Sequence, residues 1–294
     1  MVRVNSNLRT HAAALLGAEV PSATPVSGGD ICLAYRLELA DGSVAFLKTL
    51  DDASPDFFPT EADGLTWLAA AGGAPTPSVL AVDERCLILE WVDAGPPSPA
   101  AAEHFGRELA QTHLAGAEQF GSAHPGYAGA LSMPGGQSAD WPEFYATARI
   151  EPALRAAVDT GSLATADRSA VTEMLERLPE LAGPAEPPAR LHGDLWAGNV
   201  LWTTGGRCHL IDPAAHGGHR ETDLAMLDLF GLSYLEQVID AYQQVNPLAD
   251  GWQARIALHQ LHPLLVHTAL FGGGYGRQAG SAARAAVTAS GPHT

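Results

Sequence analysis

At 294 residues the chain exceeds the usual size of one hydrophobic core, and 46% apolar residues suffice for one large or two coupled domains. Sixteen Lys and Arg against 33 Asp and Glu leave a formal net charge of −17, which opposes binding to a phosphate backbone or an anionic membrane, so neither nucleic acid nor membrane is an expected partner. Cys32, Cys86 and Cys208 are odd in number, far apart and without C-x-x-C spacing, which suits a reducing compartment; residues 12–18 make no convincing signal-peptide core and no later run could span a bilayer, so a soluble cytoplasmic protein is expected.

Residues 8–16 read as an opening helix, and Pro21 and Pro25 break the chain before Ser27-Gly28-Gly29-Asp30. A hairpin follows. Ile31, Leu33, Tyr35, Leu37 and Leu39 alternate with shorter or polar residues, Asp41-Gly42 supplies the turn, and residues 44–48 return, ending on Lys48. The spacing then predicts a helix over 60–71, with Glu61 at its start and Leu65 and Leu68 on one face. After the loop at 72–77 come a short strand at 79–82 and an apolar strand at 86–92, interrupted only by Glu90.

Residues 94–99 hold three prolines and a glycine, which suits a linker between lobes, and Ser98-Pro99 can cap and start a helix that reaches His113. His113 falls at helical spacing from Phe105 and Leu109 and reads as an inter-helix histidine. Residues 120–138, rich in Gly, Ala and Ser, read as loops, and Asp140 opens a helix whose aromatics read as packing. Helical patterning resumes at 165–178, residues 179–188 lead to the next strand, an apolar helix runs through Phe230, and the last predicted helix covers 252–271.

Between these helices stands R-L-H-G-D-L-W-A-G-N-V-L-W, residues 190–202, followed by an apolar run ending Leu210-Ile211-Asp212-Pro213. Phosphoryl transfer from ATP needs a carboxylate beside the acceptor hydroxyl and oxygen ligands for Mg²⁺ in fixed mutual positions. In the catalytic loop H-x-D-L-x-x-x-N the Asp takes the hydroxyl proton and the Asn binds Mg²⁺, while a second Asp beyond a hairpin binds Mg²⁺ as well. Those residues here are Asp194, Asn199 and Asp212. A turn at 203–207 and a strand at 208–211 would return Asp212 toward Asn199. A bare His-Gly-Asp is an ordinary polar turn; an Asn five positions after the Asp, with another Asp thirteen beyond that, is a far stronger constraint.

In this kinase reading Lys48 takes the place of the phosphate-pairing lysine and Glu61 that of its helix-borne partner, although a strand-end lysine can also just snorkel to water. Glu90-Trp91-Val92 would form the hinge, with the Glu90 carbonyl and the Val92 amide on adenine; a surface-facing Glu at a strand end is the alternative. His216 and His219, across two glycines without a third ligand in register, read as incidental and not as a metal pair.

At the residues L-H-G-D-L-W-x-G-N-V, then I-D-P-A, then G-H-R-E-T-D-L-A-M-L, the chain resembles the fructosamine (ketosamine) kinase family, a branch of the aminoglycoside-phosphotransferase-like kinases; the likeness runs from about 27 to about 275. Asp140-Trp141-Pro142-Glu143-Phe144 is similar to the family's D-W-x-x-F motif, and Gly272-Gly273-Gly274 to its closing F-G-G. The resemblance implies an α+β, bilobal, protein-kinase-like fold with a β-rich nucleotide-binding lobe at 1–93 and a mainly helical catalytic and acceptor-binding lobe at 94–294. It implies ATP and Mg²⁺ as cofactors, transfer to the O3 hydroxyl of a ketosamine, Trp196 as a flat wall for the sugar, and Asp223 as a helix cap bonded to the catalytic-loop backbone. His267, by its place before F-G-G, becomes an acceptor-site candidate beside its reading as a packed histidine.

The chain departs from protein kinases in having D-P-A for D-F-G, no G-x-G-x-x-G before Lys48 and Trp196 two positions after the base, which disfavours a protein Ser/Thr kinase and leaves free and protein-linked ketosamines both open. With only Gly28 and Gly29, the loop after Ser27 offers a phosphate less than a full glycine motif would. An aminoglycoside, choline or sugar acceptor, and a non-catalytic nucleotide-binding role, remain alternatives to the ketosamine.

Overall fold

A computed structural model describes residues 6–26 and 31–289. The Ser27-Gly28-Gly29-Asp30 loop lies outside the described residues. Helix α1 (Ser6–Leu16) precedes an antiparallel sheet of β1 (Ser22–Val26), β2 (Leu33–Glu38), β3 (Val44–Thr49), β4 (Val79–Val82) and β5 (Cys86–Glu90), in the order β1-β2-β3-β5-β4. The expected break at residues 21–25 is instead β1. Its Pro25 sits opposite Tyr35 on an edge strand, where a missing N–H costs no ladder bond.

Helix α2 (Phe57–Ala69) begins three residues before the expected start, because Pro59 lies in a first turn whose amides have no intrahelical partner anyway. Its buried face, Phe58, Ala62 and Leu65, packs on Leu87 and Leu89 of β5, while Tyr35, Leu37, Ala45, Leu47 and Ile88 close against α1. Strand β5 stops at Glu90, two residues short of the expected end. In the hairpin of β2 and β3, Ala34 stands opposite Lys48.

Helix α3 (Pro99–Leu114) starts as read, with the Ser98 hydroxyl accepting from the Ala101 amide at 3.3 Å. Residues 120–138 are not plain loop: they form β6 (Phe120–Ser122), β7 (Gly126–Ala128), β8 (Leu131–Met133) and β9 (Gly136–Ser138). Strands of three residues are too short to show alternation, so their composition alone suggested coil. Then come α4 (Trp141–Phe144), capped by Asp140, a π-helical turn (Tyr145–Ile150) and α5 (Glu151–Asp159). The single helix expected over 165–178 is α6 (Thr165–Glu176) followed by a separate α7 (Leu178–Leu181) with Pro179 in its first turn.

Strands β10 (Ala189–Leu191), β11 (Val200–Trp202), β12 (Cys208–Leu210) and β13 (His216–Gly218) frame residues 190–213, with β11 and β12 paired as a hairpin and β13 joining β10 to β6. Helices α8 (Glu221–Phe230), α9 (Leu235–Val245), α10 (Trp252–Phe271) and α11 (Tyr275–Ala289) complete the described chain. The bounds of α10 match the sequence reading; α9 and α11 are absent from it. Helix α11 is Ala- and Gly-rich, and its Gly280 lies where a Cβ would strike Asp167, so close helix approach and not large apolar side chains seats it on α6 and α10. No described helix is long and apolar enough to cross a membrane.

Candidate active site

Strand β10 delivers the chain to His192, and the turn that follows can only be made by glycine. Gly193 has φ +82°, and a Cβ there would collide with the Ala214 carbonyl and the His216 ring. The buried His192 accepts from the Asp194 amide through Nδ1 (3.2 Å), so its Nε2–H donates to the Ile211 carbonyl (2.9 Å). One imidazole thus ties the loop bearing Asp194 to the residue before Asp212.

Asp223 fixes the same turn from below. Its carboxylate accepts from the His192 amide at 2.8 Å and the Gly193 amide at 3.0 Å, and meets His113 Nε2 at 3.2 Å. Burial works to raise its pKa, but the bonds from His113 and the Gly193 amide outweigh it and hold the carboxyl below its usual range. Asp223 does not cap α8, which begins two residues earlier, but its bonds to the catalytic-loop backbone are the expected ones. His113 is the inter-helix residue expected, with Nδ1 at 2.9 Å from the Tyr242 hydroxyl. Asp223→Ala strands two buried amides, so we expect a loss on the order of 3–5 kcal/mol in unfolding free energy, measured by urea denaturation; a change below about 1 kcal/mol would show that the amides find other partners.

The β11–β12 hairpin, with Val200 opposite Leu210, returns the chain so that the Ile211 amide donates to the Asn199 carbonyl (3.1 Å). Asn199 Nδ2 donates to the Asp194 carbonyl (2.8 Å), to Asp194 Oδ2 (3.2 Å) and toward the Asp212 carbonyl (3.5 Å). These acceptors fix the amide so that Oδ1 is left as a free oxygen ligand. Asp212, at φ +54°, turns its 40%-exposed side chain into the cleft, a left-handed conformation that Asp tolerates better than most residues.

Lys48 closes the group from the sheet. Its Nζ lies 2.6 Å from Glu61 Oε2 and 2.9 Å from Asp212 Oδ1. Burial disfavours its charge, but the two carboxylates outweigh burial and keep it protonated. Glu61 is pushed up to about 7 by burial first and then by Asp212 against the pull of Lys48, and its Oε1 has no hydrogen-bond partner. Asp194 is likewise pushed up to about 7, by burial and then by the charge of Asp212, with the Asn199 bond opposing. Two carboxylates compete for one ammonium beside a third. A hard divalent cation ligated by oxygen would relieve that crowding, and Asn199 Oδ1 with the Asp212 carboxylate is a donor set that suits it.

These residues line a cleft of about 1650 Å³ between the five-stranded sheet and the helices. That exceeds the few hundred to one thousand Å³ usual for one small ligand, leaving space for two. Glu90 and Val92 line one part of it; the Glu90 side chain faces outward and accepts from the Ser78 hydroxyl at 2.9 Å. Trp196, Phe230, His267 and Tyr275 line another. The Trp196 ring meets Phe230 edge-on at 6.1 Å, and His267 packs against Phe230 at 4.9 Å and Tyr275 at 5.0 Å. His267 Nδ1 donates to the Pro263 carbonyl (2.8 Å), so Nε2 is its free acceptor.

Gly198 lies under the Trp196 ring, where a Cβ would overlap the indole carbons. Gly198→Ala is therefore expected to tilt the indole, which is only partly buried, with a stability change of about 1 kcal/mol. Tryptophan fluorescence should shift; an unaltered spectrum would mean that the ring is not seated on Gly198.

His216 and His219 do not act as a pair. His216 Nδ1 donates to the Ala214 carbonyl (2.8 Å), while His219 lies with Glu221 and His259, their ligand atoms within 4.8 Å of one another. A third potential ligand thus exists that sequence spacing did not reveal, but Arg255 bonds both Glu221 oxygens, at 2.8 and 2.5 Å, and makes the cluster an ion-pair network. The sequence reading also passed over Arg149, which reaches the cleft from the π-helical turn.

A β-sheet N-terminal portion followed by a helical C-terminal portion, with the cleft between them, is a protein-kinase-like fold, and a choline/ethanolamine kinase family protein from Mesorhizobium loti shares it at TM-score 0.64 (17% identity, 98% of this chain and 95% of that one). A fructosamine kinase family model matches residues 5–288, and the chain belongs to the fructosamine kinase family. A Thermobifida fusca protein assigned as a fructosamine-3-kinase is similar at 51% identity with TM-score 0.92, covering 97% of this chain and 100% of that one. An Enterococcus faecium protein assigned as a ketoamine kinase is 34% identical over 257 residues, 86% of this chain and 91% of that one. The chain is accordingly a phosphotransferase with an alcohol group as acceptor.

Proposed function

We propose that the protein transfers the γ-phosphoryl group of ATP to the O3 hydroxyl of a ketosamine, a fructosamine or ribulosamine, a deglycation-type reaction. The observation that carries this reading is the joining of Asp194, Asn199, Asp212, Lys48 and Glu61 in one network, in a cleft that Trp196 also lines. The two relatives assigned as fructosamine-3-kinase and ketoamine kinase support the acceptor class. In this assignment residues 1–93 form the nucleotide lobe and 94–294 the catalytic and acceptor lobe.

Asn199 Oδ1 and the Asp212 carboxylate would hold Mg²⁺, which when bound neutralises charge on the transferring phosphate. Lys48, kept charged and aimed by Glu61, then holds the nucleotide phosphates, and the Glu90 carbonyl and Val92 amide hold adenine. Asp194 takes the proton of the acceptor hydroxyl, and its burial raises the basicity of the carboxylate above the usual range. The apolar face of the sugar rests on Trp196 while His267 Nε2 accepts from a hydroxyl, which restricts the hydroxyls that can face the phosphate.

The test is ADP release with fructosyl-amine, ribulosyl-amine, choline and an aminoglycoside, followed by NMR location of the phosphate. Efficient turnover of a ketosamine with phosphate on O3 is expected. Preference for choline or the aminoglycoside, or phosphate at another position, overturns the ketosamine assignment and leaves the phosphotransferase intact.

A further inference from the structure

Arg149 is buried, with 6% of its surface exposed, yet it lines the cleft. Its guanidinium lies over the Phe144 ring at 4.6 Å, and Nη1 donates to the Ala148 carbonyl (3.0 Å) and toward the Pro134 carbonyl (3.5 Å). Among the described residues no carboxylate pairs with it, and Nε and Nη2 make no hydrogen bond. The other buried arginines differ: Arg220 holds Glu186 at 2.7 Å and Arg255 holds Glu221 at 2.8 Å. A chain with 33 acids and 16 basic residues does not lack carboxylates to place there.

The groups beside Arg149 are two imidazoles. Burial, and next the positive charge of Arg149, pushes His216 down to about 3 and His262 well below its usual value, so both are neutral. Burial alone pushes the guanidinium itself down to about 10. An unpaired buried cation is costly, and the ring and two carbonyls only partly offset that cost. The residue also stands on a π-helical turn, a wide and rare geometry that recurs at functional sites.

We infer that Arg149 binds an anionic group on the acceptor, so that the preferred ketosamine carries a carboxylate or a phosphate. The inference rests on the phosphotransferase reading given above. The open Nε–Nη2 edge is the fork that takes an anion through two parallel hydrogen bonds. The two sources of such a group are the carboxylate of the amino acid whose nitrogen bears the sugar and a phosphate ester on the sugar itself. The nucleotide phosphates are assigned to Lys48 on the sheet, whereas Arg149 neighbours His262, five residues before His267 on α10.

The test compares three acceptors with one sugar: fructosyl-glycine, fructosyl-ethanolamine, and fructosyl-ethanolamine 6-phosphate. In the wild-type protein kcat/KM for one of the anionic acceptors should exceed that for neutral fructosyl-ethanolamine by about 10- to 100-fold, and whichever it is identifies the anion. Arg149→Met should collapse that ratio toward one, chiefly through the acceptor KM, and Arg149→Lys should keep part of it. A wild-type ratio near one overturns the inference and needs no variant, so poor folding of Arg149→Met does not shelter it. A ratio retained in a folded Arg149→Met gives Arg149 a structural role, and a raised KM for ATP with the acceptor KM unchanged gives it to the nucleotide; either overturns the inference. Turnover of none of the three removes the ketosamine reading and this inference together, whereas equal turnover of all three removes this inference alone.

Discussion

Asp194→Asn is expected to bind nucleotide with near wild-type affinity while phosphoryl transfer falls by about two to four orders of magnitude, the range for loss of a positioned general base. The substitution is isosteric and leaves the loop held. Asn199 Nδ2 keeps its 2.8 Å bond to the carbonyl of residue 194, and an amide oxygen can replace Oδ2 as the second acceptor. What is lost is basicity. Burial and the nearby Asp212 charge push the carboxyl up to about 7, and an amide cannot accept the hydroxyl proton at any working pH. Calorimetric titration with nucleotide supplies the internal control, and single-turnover transfer supplies the readout. Near-normal transfer would assign Asp194 to holding Asn199 and would require another group to orient the acceptor.

The part of the site that was legible in sequence is the part whose geometry is local. Asp194 and Asn199 share one turn, and Asp212 follows a hairpin of fixed length, so residue spacing alone brings them together. Lys48 and Glu61 were found through their order along the chain, since a strand end followed by a helix start is recognisable even though the 2.6 Å contact is not. Helix α10 was legible to its ends because Gly251 and Gly272 stop it on both sides.

Arg149 and the network of His219, Glu221, Arg255 and His259 left no such trace. Their partners come from helices far apart in sequence, and a buried arginine in an amphipathic stretch looks like a surface one. The small strands β6 to β9 and helix α11 were missed for a different reason: the strands are only three residues long, and the helix is rich in Ala and Gly, whose packing depends on close backbone approach and not on apolar periodicity. Gly121, at φ +96°, has no room for a Cβ against the Gly136 carbonyl, which shows how tightly β6 and β9 approach.

Asp212→Asn should abolish most of the Mg²⁺ dependence of nucleotide binding and lower turnover by about 10²- to 10⁴-fold, the equivalent of the several kcal/mol of charge stabilisation a ligated cation supplies. Asparagine is chosen because it tolerates the φ of +54° that alanine would adopt only with strain. Lys48 keeps Glu61 at 2.6 Å when the Asp212 charge is lost, so the sheet and α2 stay joined and the melting temperature should move little. Removing that charge also relieves both neighbours, since Asp212 helps push Glu61 and Asp194 up; their carboxyls should titrate lower in the variant. The measurement is nucleotide affinity with and without Mg²⁺, by calorimetry, for wild type and variant. Asn199 Oδ1 remains as one oxygen ligand, so residual dependence of a few fold is compatible with the assignment. A variant whose affinity gains as much from Mg²⁺ as the wild type does would place the cation elsewhere and leave Asp212 as no more than a counter-ion for Lys48.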